Sequence, residues 1–592
     1  MSLWPRIEPF LASVKTPAQY IGGETNCIVK DHASARVRVA LSFPDTYAIG
    51  MSHLGLQILY GLVNREPAML CERVFAPWYD MEEKMREHGI PLFSLESHTP
   101  AREFDILGFS LQYELAFTNV INLLGLAGIP LRTLDRGRRD PLVIAGGSCA
   151  FQPEPVAHYI DLFVLGDGED RMMEICRAVE EMKGSFDDRR AYCREIVKRV
   201  ANVYAPCLYD VEYHGDGRVA RVVPNDDAAP MFVQRALVDD FESSFYPTSP
   251  IVPAVECIHE RVNLEVMRGC PHACRFCQAG MIKLPVRARS VETLFRQAVE
   301  TCRSTGYDEI SLTSLSTADY PHLEALVARL KAEFDSKNIG LSLPSLRVNE
   351  KIRNIPGVLN TIRKAGFTMA PEAGTERMRK VIHKLIKDED LFAAATAAYR
   401  EGWDVIKVYY MIGLPHETAA DIEATCAAIQ KTSDCGRAAT GRPGELNVTV
   451  SPFVPKAHTP FQWERMASPE HFRDVKRLMH ARIRGRKIHL KVHDPERAFV
   501  EGVISRGSRR LGPLLEEAVK SGCTFDAWDE KFDYHRWLDV FSKCGVDPAW
   551  WNFRERAEDE VFPWDHLDGG PPKRTLLRSR VKAERLAGAA AV

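Results

Sequence analysis

The sequence has no uninterrupted apolar run of about 18 residues, which excludes a membrane-spanning helix of ordinary length. Its first residues, MSLWPRIEPFLASV, lack the basic region, apolar core and small-residue cleavage site of a secretory signal. The expected compartment is therefore the cytoplasm. Charge of one sign is not in excess either. Lys and Arg number 77 against 80 Asp and Glu, and the net charge is −3. That balance gives no global pull toward nucleic acid or an anionic membrane. The 15 cysteines do not read as a disulfide framework, because cytoplasmic thiols stay reduced. What remains is a chain of 592 residues, 45% hydrophobic and 27% charged. It is too long for one core and reads as a globular protein of several domains.

One cysteine group stands out. In EVMRGCPHACRFCQAG, Cys270, Cys274 and Cys277 follow a C-x3-C-x2-C spacing. Thiolates are soft ligands that suit zinc or iron–sulfur clusters. A cubane [4Fe–4S] cluster held by three cysteines keeps one iron open for another ligand. The alternatives are a zinc site with His272 or a distant fourth ligand, and three buried structural cysteines. Gly269, Pro271 and Gly280 mark the segment as an irregular loop.

The segments around the loop alternate in period. NLEVMRG, EISLTSLS, IGLSLPSLRV, FTMAPEAG, DVIKVYYMIGLP and ELNVTVSPFVP read as six strands, and helical patterns separate them. This order predicts a parallel α/β sheet or partial barrel. Chemistry on such sheets sits at the carboxyl edge. The cysteine loop, Ser314, Arg347, Glu372 and Gly413 all fall at predicted carboxyl edges.

This constellation, from about Val255 to Trp463, resembles the radical S-adenosylmethionine (radical SAM) superfamily. The cysteine loop follows strand one, and Phe276 precedes the third cysteine. MAPEAGTERMRKVI and IKVYYMIGLPHETAADI are similar to that superfamily's strand-four and strand-five segments. The resemblance implies that Cys270, Cys274 and Cys277 hold [4Fe–4S] and that the open iron chelates SAM. It further implies reductive SAM cleavage and a 5′-deoxyadenosyl radical that abstracts hydrogen. Phe276, Ser314, Arg347, Glu372 and Gly413 become candidate cofactor-binding residues. Many members carry Gly-Gly-Glu at the end of strand two, where this chain reads LTSLSTADY, so Ser314 and Ser316 are the available hydroxyls there. The alternative role for Arg347 and Glu372 is a structural ion pair at the barrel mouth.

The amino-terminal region repeats strand, turn and helix through RVRVALSFPDTYAIG, FDILGFSLQY, PLVIAGGSCAF and HYIDLFVLGDGED. It predicts a doubly wound sheet with ligands at its carboxyl edge, near Gly146, Gly147, Ser148 and the LGDGED turn. A plain tight turn is the other reading of that glycine pair. In order and spacing this half resembles the cobalamin-binding domain of cobalamin-dependent radical SAM enzymes. It departs from mutase-type cobalamin proteins in lacking Asp-x-His-x-x-Gly; His32, His53 and His158 have other neighbours. Cobalamin binding and a scaffold role both stay open.

The expected organisation is a leader over 1–22, a cobalamin-binding-like Rossmann-type domain over 23–205, and a hairpin with linker over 206–254. A radical SAM core over 255–467 and a mainly helical region with a basic tail over 468–592 complete it. Arg506, Arg509 and Arg510 read either as a clamp for phosphates of RNA or an anionic substrate, or as a solvated basic face. The tail from Pro571 reads as disordered or a loose helix. Outside the loop the early cysteines, Cys27 and Cys71, are isolated, which disfavours sulfur insertion fed by a second cluster. The leading expectation is a radical SAM enzyme acting on an unidentified substrate, with an electron donor such as flavodoxin or ferredoxin, and with RNA as a candidate partner. The alternatives are a cobalamin-dependent methyltransferase and a non-enzymatic nucleic-acid-binding iron–sulfur scaffold.

Overall fold

The computed structural model describes residues 2–186, 188–342 and 367–588. Its first sheet contains β1 (Val37–Phe43), β2 (Met69–Phe75), β3 (Ile106–Ser110), β4 (Leu142–Gly146), β5 (Leu162–Val164) and β6 (Val203–Tyr204). The strand order is β2-β1-β3-β4-β5-β6. Every pairing is parallel except the last. Residues of β2 are buried throughout, as suits a strand covered on both faces. Between β1 and β2 runs helix α1 (Leu54–Arg65), whose first turn is capped by His53 Nδ1 accepting from Leu56 N–H.

The expected hairpin follows as β7 (Tyr209–Tyr213) and β8 (Val219–Pro224). The next parallel strands are β9 (Val262–Glu265), β12 (Glu309–Thr313) and β13 (Gly340–Ser342). A short antiparallel pair, β10 (Met267–Arg268) and β11 (Arg287–Ala288), brackets the cysteine loop. After the undescribed stretch come β14 (Phe367–Glu372), β15 (Val405–Ile412), β16 (Glu445–Pro452) and β17 (Ile488–Val492), all parallel to their neighbours. The helix over Ala419–Thr440 shows how local sequence sets these elements. A Thr418–Asp421 capping box starts it, and Gly441 at φ +79° ends it.

Three placements differ from expectation. The parallel sheet does not stop at residue 467, because Ile488–Val492 adds a strand beside β16. Its alternating exposed His489 and Lys491 belong to an edge strand with one wet face, and they read as mere basic charge in the sequence. The leader is not a separate unit. Ile7, Phe10 and Tyr20 are buried in the core of the first sheet. That same core takes in Val500, Val503 and Ile504 of helix Pro495–Ser505, as well as Leu515 and Trp537. The carboxyl-terminal helices therefore cover the first sheet and are not an appendage. A second core fills the later sheets around Leu264, Leu312, Met369, Val408 and Val448.

Candidate active site

The cysteine loop leaves β10 through Gly269 at φ +86°, where a Cβ would stand 2.8 Å from the carbonyls of Lys283 and Pro285. Glycine is required by that close approach. The loop then turns through Ala273 at φ +49° into helix α2 (Gln278–Ile282). Cys270, Cys274 and Cys277 are half-buried. Cys277 caps α2, its Sγ accepting the Gly280 N–H at 3.3 Å. Burial pushes the Cys277 thiol up, while that N–H and the Lys384 ammonium act the other way.

Contacts from outside fasten the loop. Arg275 is only 1% exposed. Its Nη1 donates to the carbonyls of Lys380 and Val381 at 3.0 and 2.5 Å. Those carbonyls end helix α3 (Glu376–Val381), a favourable place for a cation. Arg275 Nε donates to Ser579 O at 2.8 Å in helix α4 (Lys573–Gly588). His272 Nε2 lies 2.5 Å from Asp319 Oδ2, and Ser316 Oγ donates to that same oxygen at 2.6 Å. His383 Nδ1 stands 3.0 Å from His272 O.

The residues expected from sequence sit at the following places in the described structure. Ser314 Oγ follows β12, 3.0 Å from Thr317 Oγ1 and accepting the Ser316 N–H. Glu372 ends β14 at φ +67° and pairs with Lys384 at 2.9 Å. The Lys384 and Glu372 charges both act on Cys277, in opposite directions. Phe276 packs against the small apolar cluster that includes Ile382, Leu414, Phe461 and Ala583. Gly413, at φ +74°, passes so close to Phe472 that a Cβ would sit 2.5 Å from its ring. Its N–H donates to Glu417 at 2.6 Å. Burial pushes the Glu417 carboxyl up to about 7. Arg347 lies outside the described residues.

The carboxyl edge of the first sheet meets the same loop. The turn over Ser148–Phe151 packs on α2. Gly147 takes φ +104°, with a Cβ position 2.5 Å from Leu111 O. Gly146 ends β4, and Ser148 Oγ donates to Gln112 at 3.2 Å. The LGDGED turn holds no free carboxylate pair for a ligand. Asp167 and Glu169 are taken by Arg268 and Arg287, which flank the cysteine loop. Sequence reading missed these partners, since about 100 residues separate them and no local period links them.

Two expectations about the carboxyl-terminal part do not hold. Arg506 is 1% exposed, and Arg509 pairs with the buried Glu154 at 3.0 Å. Arg510 stacks over Tyr213 at 3.9 Å. Arg506 and Arg509 are enclosed structural cations while Arg510 is exposed, so the three form neither one phosphate clamp nor one solvated face. The tail is neither disordered nor loose through Gly588. Leu576 and Ala583 are buried, and α4 packs along α3.

The donor set fits an iron–sulfur cluster. Among the described residues no three metal-ligating side chains gather on a single point. Three cysteines on one loop supply the soft thiolate donors such a cluster takes. His272, the fourth ligand of the zinc alternative, is engaged with Asp319.

Comparison with known proteins agrees with this geometry. Residues 264–429 match the radical SAM superfamily model, and residues 55–206 match the model for the N-terminal region of radical SAM proteins. The chain is similar to the uncharacterized protein MJ0966 of Methanocaldococcus jannaschii, 24% identical over 513 residues, covering 86% of this chain and 97% of that one. Its fold is similar to the solved structure of the radical S-adenosylmethionine methyltransferase TsrM from Kitasatospora setae with cobalamin and [4Fe–4S] cluster bound. That match has a TM-score of 0.52 and 12% identity, and covers 86% of this chain and 99% of that one. No helix among the described residues is long and apolar enough to cross a membrane. With a cysteine loop set at a strand edge and both family models matched, the protein is an enzyme of the radical SAM class, which works with a [4Fe–4S] cluster and S-adenosylmethionine, and it carries an N-terminal domain of its own.

Proposed function

We propose that Cys270, Cys274 and Cys277 hold the cluster and that SAM binds beside it, among Phe276, Ser314, Glu372 and Gly413. The observation that supports this reading is a half-buried three-thiol loop at the carboxyl side of the parallel strands, with the Glu372–Lys384 pair acting on Cys277. When bound, the cluster would supply one electron for reductive cleavage of SAM into methionine and a 5′-deoxyadenosyl radical able to take a hydrogen atom from the substrate. The chain's own residues position and shield this chemistry. Arg275 and His272 hold the loop, Phe276 packs its inner side, and Glu372 with Lys384 sets charge next to Cys277. On this reading the later sheets are arcs of one partial barrel and the first is a doubly wound, cobalamin-binding-like sheet. The reductant is a small donor such as flavodoxin or ferredoxin.

A second reading adds cobalamin as methyl carrier. One specific observation favours it: the Ser148–Phe151 turn, which follows the carboxyl end of β4, packs on α2 directly after Cys277. A ligand seated on that edge would lie next to the radical centre. The cobalamin bound in the fold neighbour supports the same arrangement.

The test is anaerobic reconstitution with iron and sulfide, followed by SAM and a strong reductant, with and without cobalamin. Formation of 5′-deoxyadenosine that disappears in Cys274→Ala supports radical initiation. Undiminished cleavage in that variant would exclude the assigned thiols. S-adenosylhomocysteine formed only with cobalamin identifies a methyltransferase. Its absence, in a protein that retains no cobalamin, removes the second reading.

A further inference from the structure

The neck of the cysteine loop has a charge conflict that its own strand pair does not resolve. In the antiparallel pair of β10 and β11, Arg268 stands directly opposite Arg287. Like charges in that relation push the strands apart. The two side chains are only 11% and 15% exposed, so solvent screens them weakly. A third cation is adjacent. Arg268 and Arg289 lie over the Phe241 ring at 5.0 and 4.4 Å, and Arg287 is 5.9 Å from it.

The balancing charge comes largely from the other domain. Asp167, 4% exposed, holds Oδ1 at 3.3 Å from Arg268 Nη1 and Oδ2 at 2.5 Å from Arg287 Nη1. Glu169 takes Arg268 Nη2 at 2.6 Å, and the local Glu265 takes its Nε at 2.9 Å. Asp167 alone among these carboxylates reaches both neck arginines. It is also held in place. Its N–H donates to Ala236 O at 3.0 Å, and its Oδ2 accepts the Val238 N–H at 3.1 Å. Gly166 before it leaves no room for a Cβ, which would stand 2.1 Å from Ala236 O.

Two residues beyond Arg268 lies Cys270. On the far side of the loop, Arg275 and α2 hold Cys274 and Cys277. Opening the neck would therefore move Cys270 relative to the other two thiols. We propose that Asp167 is a positioning residue for the iron–sulfur centre, bridging Arg268 and Arg287 so that the three thiols keep cluster-holding geometry only while the N-terminal domain is docked. This rests on the reading that those thiols hold the cluster. It adds to that reading a physical dependence of the radical centre on the state of the first sheet's edge, because β5 ends in the same turn that carries Asp167.

The experiment compares full-length wild type, Asp167→Asn and the double variant Asp167→Asn with Arg287→Gln, each reconstituted anaerobically with iron and sulfide. Iron per chain, the rate at which EDTA removes it, the electron paramagnetic resonance of the reduced cluster and the far-ultraviolet circular dichroism are recorded. Asp167→Asn is expected to keep its fold, lose iron about 10-fold faster and show an altered resonance signal, as partners that orient metal ligands do. The double variant, with one neck cation removed, is expected to regain most of the wild-type retention and signal. Wild-type behaviour of Asp167→Asn overturns the proposal, as does a double variant no better than the single one. If Asp167→Asn alone unfolds, a folded, cluster-holding double variant supports the charge conflict, and a double variant that also unfolds overturns it. A wild-type chain that takes up no cluster refutes the cluster assignment, and this proposal falls with it.

Discussion

Replacing Arg275 by Ala should loosen the cysteine loop and the last helix together. The guanidinium donates to the carbonyls of Ser579, Lys380 and Val381 and to the Ser579 hydroxyl. Hydrogen bonds from a charged donor contribute about 1.5–3 kcal/mol each, and acceptors left bare in the interior add their own cost. Against this stands the cost of burying a cation that meets no carboxylate, and burial does hold its pKa down. The difference is about 3 kcal/mol of local stability, or roughly a hundredfold in an opening equilibrium. Amide hydrogen exchange reads this directly, since protected amides report local opening. In Arg275→Ala, amides of Lys573–Gly588 and of 270–277 should exchange roughly a hundredfold faster, with β1 to β4 unchanged. Arg275→Lys should fall between, because one ammonium cannot reach both helices. Exchange at the wild-type rate in both segments would refute the idea that Arg275 couples them.

Lys456 Nζ lies 2.8 Å from both Glu114 oxygens and 2.7 Å from Glu501, joining the segment after β16 to the first sheet and to helix Pro495–Ser505. Lys456→Met should strand two carboxylates and cost about 3–5 kcal/mol at pH 7.5, and unchanged urea melts would contradict this. Asp526, 1% exposed, has its pKa pushed up to about 6 by burial, against hydrogen bonds from Trp537 and Thr118. The folded state thus holds that proton more tightly than the unfolded one, and stability falls as pH rises from about 4 to about 6. Asp526→Asn should be stabilised by about 2–3 kcal/mol at pH 7.5 and by much less at pH 4.5, and a pH-independent difference in urea melts would refute it. Gly147→Ala should cost about 1–3 kcal/mol, since a side chain at φ +104° meets Leu111 O and Gln112 Nε2, and a denaturant melt equal to wild type would count against that strain.

Much of the site was legible because its signals are short-range. The spacing of Cys270, Cys274 and Cys277, the strand before them and the glycine turns at 147 and 413 all act within a few residues. Alternation and helical period are local too, which is why the strands through Glu445–Pro452 read correctly outside the undescribed stretch. Ile488–Val492 was missed because an edge strand needs only one dry face, and its outward His489 and Lys491 break the apolar run. Glu372 was a candidate ligand contact or one half of an ion pair, and only its placement beside Lys384 names the partner.

Charge is where sequence reading ran out. Arg506, Arg509 and Arg510 look the same in a string whether they face water, RNA or Glu154. A cation's role depends on what neutralises it, and that group can lie anywhere along the chain. Arg268 and Arg287 meet Asp167 across more than 100 residues, and Arg275 meets Ser579 across 304. The sequence by itself determined that a three-thiol loop follows a parallel strand, because ligand type and spacing are covalent properties. Tertiary structure alone decided that the edge of the first sheet and the last described helix close around that loop, because burial brings together charges and carbonyls that no local pattern connects.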